Sequence, residues 1–200
     1  PLAPGDEVDF EGFFYEQFED ADSYYVFVTG YDIESQLELT GDPIILKAAD
    51  GVLEVVSHTG FATDYGVINI VGEAENISDA PLDTAVLVEI TLYDEDGEAL
   101  GDENLMAYLD RPSLQPGDVS SFWVPIYEDQ LGGLALDDVA DYEISLWLTE
   151  DPVRDIELEV VEAEGAEEDW TFTIRGTVRN QTEMEFTTLR VYSTLYDEDG

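Results

Sequence analysis

Apolar and polar residues alternate with a period of two along most of the chain. In Val86-Leu87-Val88-Glu89-Ile90-Thr91-Leu92 the even positions form an apolar set, and Glu89 and Thr91 fall on the other face. A strand sends successive side chains to opposite sides, so this pattern predicts a half-buried β-strand. Ile68, Ile70 and Ala74 form a second inward set. Phe122, Val124 and Ile126 form a third, and Tyr142, Ile144, Leu146 and Leu148 a fourth. Gly72 and Gly176 lie on inward faces, where a side chain from the opposite sheet is expected to need the space. Asp96-Gly97, Gly101-Asp102 and Pro116-Gly117 punctuate the runs as turns. No stretch reads as a convincing amphipathic helix, so the expected class is all-β.

The pattern repeats. Leu53-Glu54-Val55-Val56, Gly72, Asn76-Ile77-Ser78 and Leu92-Tyr93-Asp94-Glu95-Asp96-Gly97 return as Leu158-Glu159-Val160-Val161, Gly176, Asn180-Gln181-Thr182 and Leu195-Tyr196-Asp197-Glu198-Asp199-Gly200. The start of the chain matches the other half of the same unit. Leu2-Ala3-Pro4-Gly5-Asp6 aligns with Leu114-Gln115-Pro116-Gly117-Asp118, Phe10 with Phe122, and Tyr24 to Val28 with Tyr142 to Leu146. Residues 1–30 therefore read as the C-terminal half of a unit and 52–150 as a complete unit. Residues 158–200 read as the N-terminal half of a third. The linkers are 31–51, with Gln36 to Leu39 and Ile44 to Leu46 expected as an added hairpin, and the short 151–157. The chain is expected to be a window from a longer protein. Each half-unit should then leave inward faces such as Val26/Val28 and Val191/Leu195 partly exposed.

Six to seven strands in roughly 100 residues suggest tandem immunoglobulin-like β-sandwich domains. Ile90-Thr91-Leu92-Tyr93-Asp94 and Ser193-Thr194-Leu195-Tyr196-Asp197 resemble the F-x-L-Y-D signature of FxLYD domains, with Ile90 and Ser193 in place of the first Phe. Gly72 to Ser78 and Leu114 to Gly117 are similar to that family too. The resemblance implies immunoglobulin-like modules of prokaryotic surface and secreted proteins, including haloarchaeal ones. It brings no catalytic residues.

Charge changes the picture of the solvent. The chain carries 49 Asp and Glu against 6 Lys and Arg, a net charge of -43, and Lys47 is its only lysine. Disorder does not follow, because 44% of residues are hydrophobic and can build a core. Self-repulsion of this size opposes compaction, and it weakens as the Debye length shrinks to about 3 Å in 1 M salt. An acidic surface with scarce lysine resembles proteins of salt-loving archaea. With no basic patch, nucleic acid is excluded as a partner. Neighbouring domains or other cell-surface components remain as partners. The expected place is the cell surface or the extracellular space, with the cytoplasm left open. There is no Cys, which removes disulfides and thiolate sites.

The candidate sites are few. Asp94-Glu95-Asp96-Gly97 and Asp197-Glu198-Asp199-Gly200 could open a Ca²⁺ loop, but Leu105 stands where an EF-hand loop begun at Asp94 needs its closing Glu. A hairpin turn is the expected reading, and no metal site is assigned. Asn76 and Asn180 satisfy the N-glycosylation sequon just after a strand, where they could carry a glycan or cap a turn through the side chain. His58 is the lone histidine and reads as an incidental strand residue. No phosphate loop, nucleophile elbow or zinc-protease string occurs, and no enzyme activity or cofactor is expected. Trp123, Trp147, Phe27, Tyr93 and Tyr196 are out of phase with the inward sets. They should point off the core, towards sugars or neighbouring domains. The expected role is a non-catalytic spacer, with a module binding glycan, protein or Ca²⁺ as the alternative.

Overall fold

The computed structural model of the protein describes residues 1–15, 23–31, 45–63, 66–111, 113–131, 138–152, 156–168 and 171–196. The chain is all-β, and its strands pair antiparallel throughout. It divides into two compact units. One is Asp42–Val153; the other joins Pro1–Gly41 to Arg154–Gly200.

In the central unit, β4 (Leu53–Ala62), β5 (Val67–Asn76) and β8 (Val119–Tyr127) form one sheet. β3 (Ile45–Ala48), β9 (Asp141–Pro152), β6 (Thr84–Tyr93) and β7 (Ala99–Tyr108) form the other, in that order. The alternating sets meet in one core. Ile70, Ala74, Phe122, Val124 and Ile126 come from the first sheet, and Val88, Ile90, Leu92, Leu105 and Leu148 from the second. This is the two-layer arrangement of a β-sandwich. The expected hairpin over 36–46 falls largely outside the described residues. Its described part, Ile45 to Ala48, pairs with Thr149 to Trp147 of β9.

The other unit is assembled from the two ends of the chain. β1 (Glu7–Tyr15) pairs with β11 (Thr171–Arg179), and β2 (Ser23–Tyr31) with β12 (Thr188–Tyr196). β10 (Ile156–Glu168) opens against β2 and then runs along β11. Val28 is fully buried and sits opposite Val191. The expectation of exposed half-unit faces is therefore corrected for Val28. Val26, Val191 and Leu195 are half-buried, as the expectation has it, so pairing of β2 with β12 covers these faces in part.

Where the two units have corresponding strands their rungs match, although β7 has no counterpart among the described strands of the other unit. Gly72 faces Phe122 and Gly176 faces Phe10; Val88 faces Leu146 and Val191 faces Val28. A bulge falls between Val55 and Ser57 and again between Val160 and Glu162. Leu82 bridges Leu114, as Phe186 bridges Leu2. The glycines explain part of this register. A Cβ on Gly72 would lie 2.6 Å from the Phe122 ring and 2.6 Å from the Ser57 carbonyl oxygen. One on Gly176 would collide with the Glu162 carbonyl and the Phe10 ring. The intruding ring comes from the adjacent strand of the same sheet, which corrects the expectation of a side chain from the opposite sheet. An aromatic packed over a bare glycine fixes the pairing of the two strands.

Candidate functional site

The sequon asparagines are fully buried. β5 ends at Asn76, whose main-chain N–H donates to Asp118 and whose carbonyl accepts from Gly117, both at the Pro-Gly turn. Its side chain is then held from both sides. Nδ2 donates to the carbonyls of Ala80 and Leu114, each at 2.9 Å. Oδ1 accepts from the Ser78 N–H at 3.0 Å and the Ser78 hydroxyl at 2.7 Å. Asn180 repeats the arrangement. Its Nδ2 donates to Leu2 at 3.1 Å and Met184 at 2.7 Å, and its Oδ1 accepts from the N–H and hydroxyl of Thr182. Both amide hydrogens of each residue are committed to carbonyls. The hydroxyl residue two places on is the turn partner of the Asn. In the folded chain these residues are clamps, and a glycan on Nδ2 would break the bonds and need room inside a packed turn.

The acidic string after β6 is a turn. Oδ1 of Asp94 accepts the N–H groups of Asp96 and Glu98, each at 2.9 Å, and Gly97 has φ 79°. The carboxylate is occupied by its own backbone. The copy at 197–200 lies outside the described residues. Among the described residues, no group of three His, Asp or Glu side chains is placed to share a metal ion.

His58 is exposed on β4 and reaches Tyr142 of β9, with Nδ1 at 2.8 Å from the phenol oxygen and the rings edge to face. This contact joins the two sheets of the central unit, a role the sequence alone did not suggest. Asp110, after β7, is an acid whose ionisation is disturbed. Burial pushes its pKa up to about 6, opposed by a hydrogen bond from the Ser121 hydroxyl at 2.9 Å.

The out-of-phase aromatics divide. Trp123 is 57% exposed, and its indole N–H donates to Asn69 Oδ1 at 2.7 Å. Trp147 is half-buried and donates to Glu89 at 2.8 Å. The Tyr93 hydroxyl donates to Glu143 at 2.8 Å, which raises its pKa. Tyr196 is half-buried, and the side chain of Phe27 lies outside the described residues. Leu87, on the outward side of β6, is nonetheless 2% exposed; its rung partners are Trp147 and Tyr108.

Trp123 belongs to a wider face. Outward rungs run Phe61–Asn69–Pro125 and Thr59–Val71–Trp123, with Val67 opposite the exposed Tyr127. The ladder holds Trp123, Pro125 and Tyr127 on one side of β8, and the Asn69 bond orients the indole. An aromatic platform of this kind can stack against a flat apolar ring face. The matching face of the other unit keeps an exposed Phe13 in the place of Pro125 but differs at the tryptophan. Glu11 stands in the place of Trp123, opposite Arg175.

No family model and no curated protein matches the chain. Among solved structures, a DUF1425 family member from Shewanella sp. pv-4 is similar at 16% identity, over 53% of this chain and 94% of that chain, with a TM-score of 0.34. A superposition that loose carries no argument about fold or function.

Proposed function

We propose that the chain is a non-catalytic part of an array of immunoglobulin-like sandwiches of the FxLYD type, acting as a spacer at the surface of a salt-adapted cell. The observation that carries this reading is the rung-by-rung agreement of the corresponding strands in the two units, down to the bulge, the glycine rungs and the Asn clamps. Reuse of one self-contained sandwich suits a load-bearing string of beads. The acidic surface suits a solvent in which salt screens the repulsion. Single-molecule pulling in molar salt tests the role. The central unit spans about 110 residues, so its rupture should release a contour of about 35–40 nm in a single step. Gradual extension without that step would remove the spacer reading.

A second reading rests on Trp123. An exposed indole fixed by Asn69, beside Tyr127, favours an uncharged sugar ring, since a net charge of -43 repels anions. Binding of neutral oligosaccharides in high salt, lost in Trp123→Ala, supports it. Equal binding by that variant and the parent chain counts against it.

A further inference from the structure

β1 and β11 meet along a seam whose outer face is ion-paired at two outward rungs and hydrogen-bonded at the one between them. Glu7 faces Arg179, Asp9 faces Thr177, and Glu11 faces Arg175. Arg175 Nε donates to Glu11 at 2.5 Å, and the Thr177 hydroxyl donates to Asp9 at 2.9 Å. Arg179 donates to Glu7 at 2.6 and 2.8 Å and to Glu159 of β10 at 3.0 Å. The whole chain has six basic side chains, and two of them stand on this one face.

The central unit offers β1 a competing partner. Because the registers agree, β5 presents Val71, Glu73 and Glu75 where β11 presents Arg175, Thr177 and Arg179. If β1 docked on β5, Asp9 would face Glu73 and Glu7 would face Glu75. Like charges directly opposite destabilise a strand pair. The strand that β5 does take, β8, presents Trp123, Ser121 and Val119 at those rungs and brings no charge. Glycine-aromatic packing is the same in both units and cannot tell the partners apart. The outer-face charges can.

We propose that Glu7 and Glu11 are the specificity determinants of half-sandwich pairing. They admit an antiparallel strand with arginines at two outward positions four residues apart, as on β11, and reject the acidic β5. Strands that share one register need such a repulsive element as well as an attractive one. The rule holds for β11 of the same chain and for β11 of a second copy.

The test uses the full chain, which has no native Cys. Asp9→Cys with Thr177→Cys traps the native pairing as a disulfide; Asp9→Cys with Glu73→Cys traps the competing one. Each pair is refolded in molar salt under mild oxidation, and links within and between chains are both counted. In the parent background the native trap should dominate. Glu7→Arg with Glu11→Arg makes β1 basic. The native trap should then fall about tenfold, as two favourable rungs become repulsive, and the Glu73 trap should rise. Adding Arg175→Glu and Arg179→Glu should restore the native trap, which separates selection from damage to the fold. An unchanged native trap, loss of both traps with no gain at Glu73, or failure of the fourfold exchange to restore pairing would each overturn the proposal.

Discussion

Replacing Asn76 tests the clamp most directly. Asn76→Ala removes four side-chain hydrogen bonds at a fully buried position. Not every partner is stranded. Leu114 keeps the bond its carbonyl accepts from the Leu82 N–H, and Ala80 is exposed enough to turn to water. At about 0.5–1.5 kcal/mol per net bond, the expected loss is about 2–4 kcal/mol. For a unit of this size that lowers Tm by about 8–16 °C. Asn76→Asp is the sharper variant. It keeps the shape and Oδ1, but turns an acceptor towards the Ala80 and Leu114 carbonyls. Desolvation and those carbonyls would raise the folded pKa of the new carboxyl above its unfolded value of about 3.9. The native state then holds the proton more tightly. The added penalty is absent below the unfolded pKa, grows as pH rises, and is complete above the folded pKa. Melting curves in molar salt, followed by Trp fluorescence and compared with the parent at each pH, measure both effects. A loss under about 0.5 kcal/mol for Asn76→Ala, or a pH-independent difference for Asn76→Asp, would refute the clamp.

Other outcomes follow from the same geometry. The Asp110 carboxyl has a folded pKa raised to about 6, so its cost is absent below pH 4 and complete above pH 6. Asp110→Asn should therefore stabilise the central unit by about 1–3 kcal/mol at pH 7 and by little at pH 4, read from urea midpoints; equal effects at both would be inconsistent with burial as the cause. Gly72→Ala and Gly176→Ala should each cost about 1–3 kcal/mol through overpacking. Gly12→Ala should be neutral or slightly stabilising, since the nearest atom to its Cβ would be 3.9 Å away. Similar urea midpoints for all three would contradict the packing account. Dilution of salt below about 0.5 M should unfold the chain as screening weakens, and retained ellipticity there would show that the charge is tolerated without salt.

Alternation in the sequence was enough to place β5, β6, β8 and β9 of the central unit and to name their inward residues. Ile70, Val88, Phe122 and Ile126 are buried as their phase requires. The repeat offset also carried real information, because it aligned Gly72 with Gly176 and Phe122 with Phe10, and in each unit the glycine is the rung partner of the phenylalanine. The candidate sites were less legible. A sequon and an Asn clamp share the residues Asn-x-Ser/Thr, and only the carbonyls of Leu114 and Leu2 separate them. Those acceptors lie 38 and 178 positions away along the chain. Leu87 read as outward by phase and is buried all the same, because its two rungs carry Trp147 and Tyr108.

The sequence by itself determined the period, the repeat and the acidity, since each is a property of neighbours along the chain or of a sum over it. Periodicity says which face of a strand is apolar; it does not say what covers that face. Only the tertiary structure decided that β1 pairs with β11 and β2 with β12, and that Arg175 and Arg179 meet Glu11 and Glu7. That outcome depends on hydrogen-bonded pairing between segments more than a hundred residues apart, which no local pattern of apolar and polar positions encodes.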